Sequence, residues 1–263
     1  MNKNESIAAT APHIFKRPLL SVDVHDSMLQ AATFLAIGPQ IYADGLVVFD
    51  GKKLAGRIGG LALVQHILAT REKWLEFNAV RVMDGLKVPL EASAPVSDAL
   101  RIFQETRFAF FPISLHGEIS ASLSIRDLLW FYAKQETSIK AVSLASEIIP
   151  VSQDISVFDS LKIMAEQKIR NLVFMQSGLA YMINDRKILE FLLSYNAREI
   201  LKSHGFAGLG EIPLASLGLM KGKQISKDAT TRDAALQLTD ISTPCLFYER
   251  RILTPWDLIM KQV

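Results

Sequence analysis

Two hydrophobic periods alternate along the chain. After Ser93 the apolar residues fall at Val96, Leu100 and Phe103, and after Asp154 at Val157, Leu161, Met164 and Ala165. These are helix-period stripes that bury one face. Each stripe gives way to an apolar run, a turn dipeptide and a second apolar run, which reads as a hairpin. The runs cover 46–49 and 54–58 about Asp50-Gly51, 110–115 and 119–123 about His116-Gly117, 172–175 and 179–183 about Ser177-Gly178, and 245–248 and 252–253 about Arg250-Arg251. A second helical stretch follows each pair. The pattern restarts at Asp26-Ser27-Met28, Ser93-Ala94-Pro95, Asp154-Ile155-Ser156 and Asp228-Ala229-Thr230. Each start offers a small polar side chain or a proline where a helix N-terminus leaves N–H groups unpaired.

The unit predicted is β-α-β-β-α, repeated four times. At about 50 residues, one unit leaves an apolar sheet face uncovered, and pairing two units covers it. The expected fold class is therefore α+β, with four repeats paired into two modules that can join in one disc-like assembly. The boundaries read as a flexible N-terminal tail over 1–15, a first pair over 16–133 (repeats 16–70 and 80–133) and a second pair over 143–263 (repeats 143–195 and 212–263). The segment 195–222, with Gly205, Gly208, Gly210 and Pro213, is expected to loop out.

Composition narrows the function. The chain has 263 residues, 49% of them hydrophobic and 21% charged, so a sizeable core is available. Lys+Arg is 29 against Asp+Glu 27, a net charge of +2. That balance argues against a general nucleic-acid binder but leaves room for a phosphate pocket built from a few cations. The single cysteine, Cys245, excludes an intrachain disulfide and a Cys-rich zinc site, and in an apolar strand it reads as a small buried hydrophobe. No apolar run approaches the ~18 residues of a membrane span. Lys3 is not followed by the apolar stretch of a signal peptide. A cytoplasmic protein without membrane association is expected. His13, His25, His66, His116 and His204 show no metal-ligand spacing. P-loop and nucleophile-elbow motifs are absent, so neither catalysis nor a cofactor is expected.

The tetrapeptides Ser124-Ile125-Arg126-Asp127 and Thr254-Pro255-Trp256-Asp257 occupy the same point of the second and fourth repeats. Each is also an ordinary capping box. The first repeat has Gly59-Gly60-Leu61-Ala62 there, and the third has Asn184-Asp185-Arg186-Lys187.

The fourfold unit with this motif resembles the cystathionine-β-synthase (CBS) domain family, taken as two tandem pairs. Four repeats in one chain are similar to stand-alone members of the family and to the γ subunit of AMP-activated kinase. The resemblance implies adenosine-ligand clefts between repeats. Asp127 and Asp257 would accept the ribose hydroxyls, with Ser124 and Thr254 facing phosphate beside a helix N-terminus. Arg126, Lys168 and Arg170 would reach phosphate. The strands before each first helix would lend backbone to adenine at Val88, Gln224 and Ile225, and Pro112 and Pro244 hold the family's proline position. The implied ligand is AMP, ADP or ATP, with S-adenosylmethionine an alternative, and the implied role is regulatory, with output through an unknown protein partner. Two other readings stand beside it: an interaction scaffold with vestigial clefts, and a nucleic-acid-binding member of the family. The second helices would face another module, which makes a homodimer an expected association. The run Trp130-Phe131-Tyr132 suits either such an interface or the core.

Overall fold

The computed structural model describes residues 4–86, 88–149, 151–152 and 154–262. Residues 1–3 of the expected tail, including Lys3, and Lys87 beside the expected adenine contact lie outside the described residues.

The chain begins with a short helix, α1 (Ile7–Thr10), and a 3-10 turn over Pro12–Lys16. The first repeat follows as β1 (Ser21–Asp23), α2 (Met28–Ile37), β2 (Gly45–Asp50), β3 (Lys53–Gly59) and α3 (Gly60–Thr70), with β4 (Asp84–Gly85) after it. The second holds β5 (Leu90–Glu91), α4 (Val96–Thr106), β6 (Phe110–Leu115) and β7 (Glu118–Ser124). It closes with a 3-10 turn over Ile125–Leu128 that runs into α5 (Leu129–Tyr132). After β8 (Ser146–Glu147), the third holds α6 (Val157–Gln167), β9 (Asn171–Gln176), β10 (Leu179–Asn184) and α7 (Asp185–Leu193), extended by α8 (Tyr195–His204) and β11 (Met220–Lys221). The fourth holds β12 (Lys223–Gln224), α9 (Thr231–Leu238), β13 (Leu246–Tyr248), β14 (Arg251–Leu253) and α10 (Pro255–Met260).

Turn chemistry sets the hairpins. His116-Gly117 and Ser177-Gly178 both have positive φ at the two central positions, the geometry whose twist matches paired strands. In repeats one, two and four a leading strand runs parallel to the first hairpin strand, as in Ser21↔Val47, Leu90↔Ile113 and Lys223↔Leu246. Repeats exchange segments in pairs. The chain before repeat one bridges the first helix of repeat two (Ser6↔Pro95), and the chain before repeat two returns the contact (Ser27↔Asn78). Lys140↔Thr230 and Ser156↔Pro213 repeat this between units three and four.

Four interfaces close the repeats into a ring. Sheets meet between units one and two, where the Phe110 ring packs so tightly on Gly45 that a Cβ there would lie 1.9 Å from it. They meet again between units three and four, where Val173, Ala180, Met182, Cys245, Phe247 and Ile252 form one apolar cluster. Helices join unit one to unit three (α2 and α3 against α6 and α7) and unit two to unit four (α5 against α9). The two large cores follow these helical contacts.

Two expectations change. Residues 4–15 are not a flexible tail: Ile7, Ala11 and Ile14 are fully buried, and the Ile7 N–H donates to the Ala94 carbonyl at 2.9 Å. The spacing of those three apolar residues gives this segment a helical face to bury. The segment after α7 does not loop out, because Phe206, Leu209 and Leu214 anchor it in the core of units one and three. The second helices α3 and α5 do face the other module, within the same chain, as α3 meets α6 and α7 and α5 meets α9; of Trp130-Phe131-Tyr132 only Trp130 is exposed. Among the described residues no helix is long and apolar enough to cross a membrane.

Candidate functional site

The segment between first helix and hairpin is short in every repeat, and in the first three it carries a left-handed residue. Tyr42, Arg107 and Lys168 hold equivalent places in the first three repeats, with φ of 59, 60 and 53. The Arg107 N–H closes α4 on the Phe103 carbonyl at 2.9 Å. Because the ring brings these segments together, all three residues line one central cavity of about 910 Å³. That volume sits near the upper end of the ~300–1,000 Å³ common for small-molecule sites. All four repeats contribute to its wall, including Gly59-Gly60, Ile125-Arg126, Asn184 with Arg186, and Thr254-Pro255-Trp256.

The wall has a cationic part and an apolar part. Arg170, just before β9, donates Nε to Asp185 Oδ2 at 2.8 Å, and Arg186 Nε lies 4.0 Å from Asp185 Oδ1. Asp185 is 1% exposed and Arg186 3%. Burial opposes the carboxylate's charge, but Arg170 and Arg186 outweigh it and hold its pKa below the ordinary range. Burial likewise lowers Arg186, to about 10, against the pull of Asp185, so it remains a cation at neutral pH. Arg186 Nη2 donates to the Asp44 carbonyl of repeat one, whereas its Nε and Nη1 are buried with no hydrogen-bond partner. Idle N–H groups on a buried cation are costly, and an anionic oxygen in the cavity would satisfy them. Gly60 makes this approach possible: a Cβ there would lie 1.7 Å from Asp185 Oδ2. The apolar part includes Val173, Met182, Met220, Ile252 and Pro244, with Trp256 beside them and Arg107 Cζ 6.0 Å from its ring centroid.

The two carboxylates expected to hold ribose are both engaged elsewhere. Asp127 is 1% exposed. It takes Arg17 Nη1 on Oδ1 and Nη2 on Oδ2, both at 2.7 Å, His13 Nε2 at 3.1 Å and the Ser124 N–H at 2.6 Å. Asp257 accepts from the Thr254 N–H at 3.0 Å and Oγ1 at 2.6 Å, and from Lys261 at 3.1 Å and Ser146. Neither carboxylate lines the cavity, which corrects the expected placement; the capping role is the one the geometry displays. Ser124, Val88, Pro112, Gln224 and Ile225 are also absent from the lining. Val88 is 71% exposed, and Ile225 belongs to the core of units two and four. Arg126, Lys168, Arg170, Pro244 and Thr254 do line the cavity, although Arg126 spends Nη1 on the Leu238 carbonyl at 2.7 Å.

The sequence reading did not assign Asp44, Arg107, Glu147 or Arg186 to the site. For Arg186 a signal existed: Asp185-Arg186-Lys187 puts three charges directly after an apolar strand. The sheet interface of units one and two offers no comparable apolar wall, because Arg57 stacks on Phe108 at 3.7 Å and donates to the Phe110 carbonyl. Cys245 is buried, which pushes its thiol up to about 12 and removes it as a nucleophile. Among the described residues no three metal-ligating side chains come together.

With this geometry in hand, comparison with known proteins is informative. Residues 139–194, centred on the third repeat, match the CBS domain family. The whole architecture is similar to protein MJ1225 of Methanocaldococcus jannaschii, described as a candidate archaeal homologue of γ-AMPK. That match has a TM-score of 0.78 at 12% identity and covers 94% of this chain and 97% of that one. Half-length matches include a signal-transduction protein with CBS domains from Burkholderia ambifaria, with 21% identity, coverage of 51% and 95%, and a TM-score of 0.42. Another is CBSX2 in complex with AMP, with 19% identity, coverage of 48% and 93%, and a TM-score of 0.37. No curated protein sequence gives a significant match.

Proposed function

We propose that the chain, whose residues 139–194 match the CBS domain family and whose whole fold is similar to that of a four-repeat protein, is a non-catalytic regulator that binds an adenosine nucleotide in its central cavity. One observation carries this reading: Arg186, a buried cation whose Nε and Nη1 have no hydrogen-bond partner, lines a cavity that also has an apolar wall. An anion satisfies the first feature, and a flat heterocycle suits the second, with Val173 and the two methionines beside it. The bound base would lie in the half formed by repeats three and four. The corresponding half of repeats one and two is filled by Phe108, Phe110 and Arg57, and Asp127 is tied to Arg17. Those features favour the vestigial reading for that half alone.

A ligand on Arg186 would also touch the contact between repeats one and three, since the same guanidinium holds the Asp44 carbonyl. Ligand binding could thereby shift the packing of the two modules, which a protein partner reads as a change of surface. Calorimetry with AMP, ADP and ATP tests the proposal. Saturable binding to wild type, weakened tenfold or more in Arg170→Gln, is the expected result. Trp256 gives a second signal, because quenching of its fluorescence should track the calorimetric isotherm. Absence of binding by all three nucleotides would sink the reading and leave the scaffold alternative.

A further inference from the structure

We infer that the cavity selects a ligand with a chain of two or more phosphates over a monophosphate; the inference rests on the nucleotide reading above and goes beyond it. Five cations line the cavity: Arg107 and Arg126 from repeat two, and Lys168, Arg170 and Arg186 from repeat three. Two acids, Asp44 and Glu147, line it with them. Some of this charge is already neutralised. Arg170 is held by Asp185, which lies behind it, and Arg126 gives one N–H to a backbone carbonyl. Arg186 keeps two nitrogens, Nε and Nη1, without a hydrogen-bond partner. The Lys168 side chain has no hydrogen-bond or ion-pair partner among the described residues, and the Arg107 side chain is held by nothing stronger than its distant position over Trp256.

The placement matters more than the sum. Around the ring the helical contacts join one to three and two to four, while the sheets join one to two and three to four. Repeats two and three therefore stand diagonally opposite, and their cations approach the cavity from opposite sides. A single phosphate that satisfies Arg186 and Arg170 leaves Arg107 across the cavity unused. Each further phosphate adds negative charge and reaches towards that opposite wall. Simultaneous contact with both sides would also tie one module to the other, because the two cation groups belong to different modules.

The test is titration calorimetry at fixed ionic strength in magnesium-free buffer, with AMP, ADP, ATP, inorganic phosphate and tripolyphosphate. ATP is expected to bind at least tenfold more tightly than AMP, and tripolyphosphate at least tenfold more tightly than phosphate. Arg107→Gln is the decisive variant, because Arg107 is exposed and carries no packing role. It should cut the ATP-to-AMP affinity ratio fivefold or more and leave AMP affinity within twofold of wild type. Equal affinity for AMP and ATP in wild type, or equal losses for both in Arg107→Gln, would overturn the inference while leaving the nucleotide reading intact. Tight tripolyphosphate binding with no nucleotide binding would support the polyphosphate preference and overturn the nucleotide reading. Failure of both ATP and tripolyphosphate to bind would overturn the two together.

Discussion

Asp127→Ala removes the clamp that ties the N-terminal segment to repeat two. The carboxylate is 1% exposed and serves four donor groups, two of them on Arg17. Its loss leaves the Arg17 guanidinium, itself only 12% exposed, with the Ser122 carbonyl at 2.6 Å but no counter-charge. Removing one member of a buried ion pair costs about 3–5 kcal/mol, and loss of the capping-box acceptor for the Ser124 N–H adds about 1 kcal/mol. At roughly 2–4 °C per kcal/mol for a chain of this size, the melting temperature should fall on the order of 8–24 °C. Scanning calorimetry at neutral pH measures this directly. The double change Arg17→Met with Asp127→Leu should recover much of the loss, because replacing both partners by apolar groups strands no charge. The same clamp predicts a pH dependence. Burial pushes the Asp127 carboxyl up, but His13, Arg17 and the Ser124 N–H together hold it below the ordinary 3.8. A carboxyl whose folded pKa is depressed contributes stability that is fully present above its unfolded value and is lost as pH falls through the folded value. The gap between wild type and Asp127→Ala should stay constant at and above about pH 5 and close progressively below about pH 4. A gap under about 2 °C at neutral pH, or one that persists unchanged in strong acid, would refute the reasoning.

Other expectations follow from single contacts. Gly60→Ala should destabilise by about 1–3 kcal/mol, because its Cβ would collide with the Asp185 carboxylate. Gly85→Ala, with nothing within 4 Å, should melt within a degree or so of wild type. Arg57→Met should retain more stability than Arg57→Ala in denaturant unfolding, since Arg57 is 2% exposed and stacked on Phe108. Equal losses would show that the ion pair with Asp84, rather than packing, holds Arg57 in place. Cys245 should resist a thiol reagent at mildly alkaline pH in the native protein and react once denaturant is added, because burial pushes its thiol up to about 12. Rapid native labelling would contradict the burial.

Local patterns carried the repeat unit, and long-range charge pairing hid the site. The hairpins were readable because each depends on residues adjacent in sequence, as at Ser177-Gly178, where two positive φ angles match the turn the dipeptide predicts. The stripes after Ser93 and Asp154 likewise became α4 and α6 with their apolar faces buried. The motif Ser124-x-x-Asp127 was equally visible, but its role depends on Arg17, more than a hundred residues earlier in the chain, and no local spacing encodes that meeting. The same holds for Gly60. In isolation Gly59-Gly60 reads as a lost motif, whereas in the ring the missing side chain is what admits Asp185 and Arg186 from repeat three. The absent side chain at Gly60 in one repeat and the Asp185-Arg186 pair in another are thus two halves of one contact. The repeats that depart from the shared pattern are therefore the ones that bring the buried cation to the cavity wall. Adding a side chain at this point of repeat one, by Gly60→Ala, should damage the interface on which the cavity depends.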